Sequence, residues 1–147
     1  MQEIFTAKKL AEKYEAFPIL LLLLHWELKC SVQKGDFTEL NSFSLKKHNF
    51  EESLYEKMRD YSNAVYQKAS LASMFMTDGL AKTENRKYDL KITEAEIRDG
   101  LENAKSFSAF LQYAEGLLFY YDIMGKMSDC LDLCKLILNK YDEHPEY

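Results

Sequence analysis

Glycine and proline are scarce in this chain of 147 residues, five and two respectively. No Gly-rich loop follows a strand-like run, so the phosphate-cradling turns of nucleotide folds have no foothold. Cysteine is short as well. Cys30, Cys130 and Cys134 are an odd set at irregular spacing, which makes no disulfide framework and fits a reducing compartment. Long hydrophobic runs are also missing: Ile19 to Leu24 is closed by His25, Glu27 and Lys29, far short of the roughly 20 residues a membrane span needs. Met1 to Lys9 is already amphipathic and carries no secretion signal. A cytoplasmic protein is the expectation.

Positive charge is in deficit. The formal net charge of −5 repels phosphate backbones, so nucleic acid is disfavoured as a primary ligand and a basic protein partner suits better. Chemistry-bearing motifs are lacking too. His25, His48 and His144 lie in separate segments, none within a His-Glu-x-x-His or Glu-x-x-His pattern, so no metal is expected. Cys130 and Cys134 stand one helical turn apart without Cys-x-x-Cys spacing, which suits small packing residues better than a redox pair. No Gly-x-Ser-x-Gly nucleophile turn occurs. Arg59, Arg86 and Arg98 have no His four to six residues away, the pairing of small helical nucleases of the HEPN type. Neither His25 with Glu27 nor Asp122 needs a catalytic explanation; the first marks a helix leaving the core, the second a solvent stripe with Lys126. The reading is of no enzyme and no cofactor.

What is present is apolar and aromatic. Hydrophobic residues make up 47% and charged ones 29%, as in a globular chain, which at this length is about one domain, 1–147. Ten Tyr and nine Phe exceed ordinary core needs, and Tyr tolerates both burial and water, a composition that favours contact surfaces.

Periodicity predicts an all-α fold, a bundle or stack of about five helices at 3–16, 18–33, 50–77, 94–124 and 129–141. Pro18 separates the first two by disfavouring helix at Phe17 and starting a new one. The Ile19–Leu24 run is apolar all round and predicts a central buried helix, ended at Gly35. Residues 37–47 are ambiguous. Asn49 with Glu52 has capping-box spacing, as does Thr93 with Glu96. Behind them run seams from Phe50 to Met76 and from Ile97 to Tyr121, in steps of three and four. Gly100 or Gly116 is a place for a kink in the second. Tyr88 to Ile92 alternates apolar and polar, which suits a short extended segment. Asp129 can cap the last helix, and His144-Pro145 ends it.

Aligned on Gly125, residues 114–145 resemble one tetratricopeptide-like helix-hairpin repeat. Leu117 and Tyr121 fall at its Leu and Tyr positions, Gly125 at the turn, and Cys130 at the small residue. Ala114, Leu118 and Cys134 depart from its Trp, Gly and aromatic, and Pro145 comes about three residues late. Residues 33–37 look like a second such turn. The resemblance implies a helix-hairpin stack that binds protein or peptide. Phe110 to Gly125 also looks like the tail of the small helical subunits of type III CRISPR effectors. That resemblance implies a structural subunit of a nucleoprotein assembly, for which Lys46-Lys47-His48 with Lys82, Arg86 and Lys87 are the only basic clusters. The leading expectation is a non-catalytic binding module of the chaperone, adaptor or immunity/inhibitor type that masks a partner protein. Off the Ile97–Tyr121 seam, Tyr113, Phe119, Tyr120 and Met127 are the expected partner-binding residues.

Overall fold

A computed structural model describes residues 2–33 and 40–147, the side chains of 40–43 aside. Gly35, the 33–37 turn and most of the ambiguous 37–47 stretch therefore fall wholly or partly outside the described residues. Six helices follow in order: α1 (Gln2–Lys13), α2 (Phe17–Gln33), α3 (Leu40–Asp78), α4 (Glu84–Glu102), α5 (Phe107–Met124) and α6 (Met127–Glu143). No strand occurs among the described residues. The all-α expectation holds, with six helices among the described residues where five were expected.

Packing gathers the chain into two compact units, Met1–Met58 with Glu146 and Arg59–Pro145 with Tyr147, with α3 contributing its first half to one and its second half to the other. In the first unit, Ala11, Phe17, Leu20, Leu24 and Leu54 form the core, with Phe50 and Met58 packed against it. Glu15 takes a left-handed backbone, φ 49, and so α1 stops at Lys13 instead of Ala16. Pro18 occupies the second position of α2, where its missing N–H costs nothing.

The second unit is built around α5. Ala109, Tyr113, Ala114, Leu117, Tyr120, Tyr121 and Ile123 of α5 are buried together with Ala64 and Leu71 of α3, Leu90 and Ile97 of α4, and Leu133 of α6. Burial of a side chain such as Leu117 contributes about 2 kcal/mol. Close approach is set by glycine: a Cβ on Gly100 would run into the Tyr113 ring, so only glycine lets α4 lie this near α5. The helix buried on most sides is thus α5, within the second unit, whereas α2, expected to be so buried, covers only Phe17, Leu20 and Leu24.

Three local expectations are corrected. The helix expected over 94–124 is broken at residues 103–106, where Ser106 caps α5 by accepting the Ala109 N–H at 3.1 Å, and the Lys105 N–H donates to Asp60 Oδ2 at 2.8 Å. The seam is nevertheless kept, since Leu101 and Ala104 pack on the same core as Ala114 and Tyr121. Residues 88–92 are helical, not extended; Leu90 and Ile97 point inward seven residues apart, while Tyr88 and Ile92 share the outer face. Asn49 and Thr93 lie inside α3 and α4 instead of starting helices. Asn49 is solvent-exposed, and Thr93 turns its hydroxyl back to the Asp89 carbonyl at 3.5 Å, so neither competes with the helix ladder.

Candidate functional site

The α5–α6 hairpin turns at Gly125, whose φ of 69 is the left-handed cap that a side chain would resist. The Gly125 N–H donates to Asp122 O at 3.1 Å and the Lys126 N–H to Tyr121 O at 2.9 Å, which closes α5 and launches α6 at Met127. The turn read from Gly125 is therefore present.

The expected partner-binding residues do not share a surface. Tyr113 and Tyr120 are buried, 5% and 0% exposed, and so are corrected from surface to core. Phe119 is half-buried, its ring 6.3 Å from that of Phe75. Met127 alone is open to solvent, 72% exposed. The reason is geometric: α5 is covered on the Ile97–Tyr121 seam and on the faces beside it, so being off the seam does not mean facing water.

Tyr113 belongs to a polar brace, and Tyr120 lies against a second one. Tyr113 Oη donates to Asp60 Oδ1 at 2.8 Å, and burial with the facing Asp60 carboxylate pushes its pKa well above the usual tyrosine range, so it remains a donor. Around it lies a cleft of about 470 Å3 whose lining includes Asp60, Tyr66, Gln67, Glu96 and Asp99. Two of its carboxylates are engaged, Asp60 by Tyr113 and the Lys105 N–H, Asp99 by Asn103 Nδ2 at 2.9 Å, while Glu96 is exposed. The Tyr113–Asp60 hydrogen bond ties α5 to α3 beside this cleft.

The second brace joins α4 to α5. Arg98 Nε donates to Glu94 Oε1 at 2.9 Å, and its Nη2 donates to Tyr121 Oη. Lys126 lies 5.4 Å above the Tyr120 ring. Burial pushes the Glu94 carboxyl up, but the adjacent Tyr120 hydroxyl and Arg98 guanidinium outweigh it and hold the group below the usual range. The Tyr120 hydroxyl lies beside this carboxylate without a hydrogen bond of good geometry, and its pKa is raised by burial first and by Glu94 second.

Other sequence candidates take structural roles. Glu27 pairs with Lys8 at 2.8 Å, His144 stacks 4.4 Å from the Phe107 ring, and Asp122 accepts the Cys130 thiol at 3.8 Å. Burial and that carboxylate push the Cys130 thiol up, away from reactivity. Among the described residues no three His, Cys, Asp or Glu side chains converge as metal ligands. Of the basic clusters, Lys47 is only 7% exposed, Arg86 pairs with Asp78 at 3.0 Å, and Lys87 with Glu84 at 2.9 Å.

What sequence reasoning missed is the outer face of α6. Met127, Leu131, Cys134, Leu138 and Tyr141 recur at steps of four, three, four and three, the a and d positions of two heptads. All five are exposed, Leu131 at 59% and Leu138 at 64%, and Tyr141 less so, with its ring edge-on to Phe107 at 5.2 Å. Cys130, Leu133 and Ile137, roughly a quarter-turn around the helix, pack inward. The apolar arc of α6 is therefore wider than the core can cover. A four-three spacing in the last helix was the available signal. A second apolar stripe, Ile19, Leu22 and Trp26, is exposed on α2, opposite the buried Phe17, Leu20 and Leu24. Among the described residues no helix is long and apolar enough to cross a membrane. No protein-family model, curated protein or solved structure matches this chain.

Proposed function

We propose that this chain is a non-catalytic protein-binding module of the chaperone, adaptor or inhibitor kind, which acts by masking part of a partner protein. The observation that supports this reading is the open heptad face of α6, with Met127 at its head: Met127, Leu131, Cys134 and Leu138 in register, continued by the half-covered Tyr141, on a helix whose inner face is already packed. Contiguous apolar surface of this sort is a liability unless something covers it. The net charge of −5 favours a basic partner and disfavours nucleic acid.

A photo-crosslinking residue at position 131, compared with one at the exposed polar Asn139, tests the reading in cells that make the protein. A protein crosslinked from 131 and not from 139 supports it. Crosslinking to RNA, or none above the level at 139, overturns it.

A further inference from the structure

We infer that the outer face of α6 seats one short amphipathic helix from a basic partner, laid along Met127, Leu131, Cys134, Leu138 and Tyr141; the inference rests on the protein-binding reading above. Three observations select this occupant. The first is spacing. Steps of four and three place the apolar side chains along one seam, the arrangement that receives knobs from a second helix running alongside.

The second is area. Seventeen residues of α6 span about 25 Å, and a helix is roughly 10 Å wide, so the face is a few hundred Å2. Stable dimers bury about 800 Å2 per partner. The face is too small to hold a second copy of this chain by itself, yet it matches one helical segment.

The third is charge. Acidic residues Asp129, Asp132, Asp142 and Glu143 outnumber Lys135 and Lys140 on α6. Both lysines are already occupied within the helix, Lys135 by Asp132 at 3.0 Å and Lys140 by Glu143 at 2.6 Å. Asp142, beside Leu138 and Tyr141 on the solvent flank of the seam, has no ion pair among the described residues. A second copy, also at −5, would meet like charge, whereas lysines or arginines flanking an apolar stripe would meet Asp142 and the net acidic field.

The test uses two synthetic helices of about 18 residues, the length of α6, each with Leu at its a and d positions and with either Lys or Glu at the flanking e and g positions. Binding to the intact chain is read by fluorescence anisotropy. The Lys helix is expected to bind in the micromolar range and the Glu helix about tenfold more weakly or worse. Replacing Leu131 and Leu138 by Glu should weaken the Lys helix by at least about tenfold while leaving the thermal melt in place. Asp142→Lys should weaken it by a few-fold, an effect that shrinks at about 1 M salt, where the Debye length is only about 3 Å.

Equal binding of the two helices, or binding unaffected by the double substitution, overturns the inference. So does a concentration-dependent dimer in sedimentation that Leu131→Glu abolishes, since a second copy would then fill the seam. If position 131 still crosslinks a protein while the Lys helix fails, the binding module stands and this occupant falls.

Discussion

The two most apolar helices, α2 and α5, have opposite fates. In α5, ten of eighteen residues are buried, and even Tyr113 and Tyr120 are inside. In α2, only Phe17, Leu20 and Leu24 are buried, while Ile19, Leu22 and Trp26 are about half exposed. Side-chain hydrophobicity is similar in the two. The difference lies in neighbours: α5 is enclosed by the second half of α3, by α4 and by α6, whereas α2 has a core on one side. Burial is a property of the packing a helix receives, and an apolar run reports only its capacity to be buried.

The largest expected effect separates these helices directly. Leu117→Ala should cost about 3 kcal/mol in urea unfolding, through lost transfer energy plus a cavity, whereas Leu22→Ala should cost less than about 1 kcal/mol because half of that side chain already meets water. Equal losses would show that α2 is covered in solution.

Next in size is Gly100→Ala. The new methyl must displace the Tyr113 ring, which is itself held by Asp60, so a loss of about 2 kcal/mol is expected. In a Tyr113→Val background the same substitution should be nearly neutral, and a double-mutant cycle in thermal unfolding measures the coupling. Additive losses would mean that Gly100 serves some purpose other than this contact.

The smallest effect is in the first unit. Among the described residues Lys47 Nζ is buried without a hydrogen-bond partner, and burial lowers its pKa despite the nearby Glu51 and Glu27. Below its folded pKa the amine is charged in both states, and the folded state bears the cost of that buried charge. Between the folded pKa and the ordinary lysine value near 10.4, the unfolded chain binds more protons, so stability rises with pH in that window. Lys47→Met should stabilise by about 1 kcal/mol at neutral pH and flatten that rise, as read from urea midpoints against pH. A destabilised variant would show that the amine is paired in solution.

Much of the fold was legible because turns and caps act locally. Gly125 and Pro18 each mark a helix boundary close to where one is found, since left-handed backbone or a missing N–H leaves few alternatives. The break at 103–106 was hidden because the hydrophobic period continues across it: the residues before and after it face one core. The Asn49 and Thr93 signals misled because a capping residue is also tolerated inside a helix when its side chain reaches water or its own backbone. The contact face was hardest to read. Tyr113 and Tyr120 resemble surface residues by type, but each hydroxyl lies beside a carboxylate inside the core, Asp60 or Glu94, and that is a long-range fact. The α6 stripe was legible in its spacing, yet its exposure depended on which side of the helix α5 claimed.

Asp60 has a further consequence, in chain entropy. Its two oxygens hold the Lys105 N–H and the Tyr113 hydroxyl, partners 45 and 53 residues away along the chain. Closing a loop of that size costs entropy that grows only with the logarithm of its length. Once Lys105 is in place, Tyr113 is just 53 − 45 = 8 residues further on. A single carboxylate therefore fixes two distant points of the chain for little more than the entropic cost of fixing one, and the break between α4 and α5 is where that saving is made.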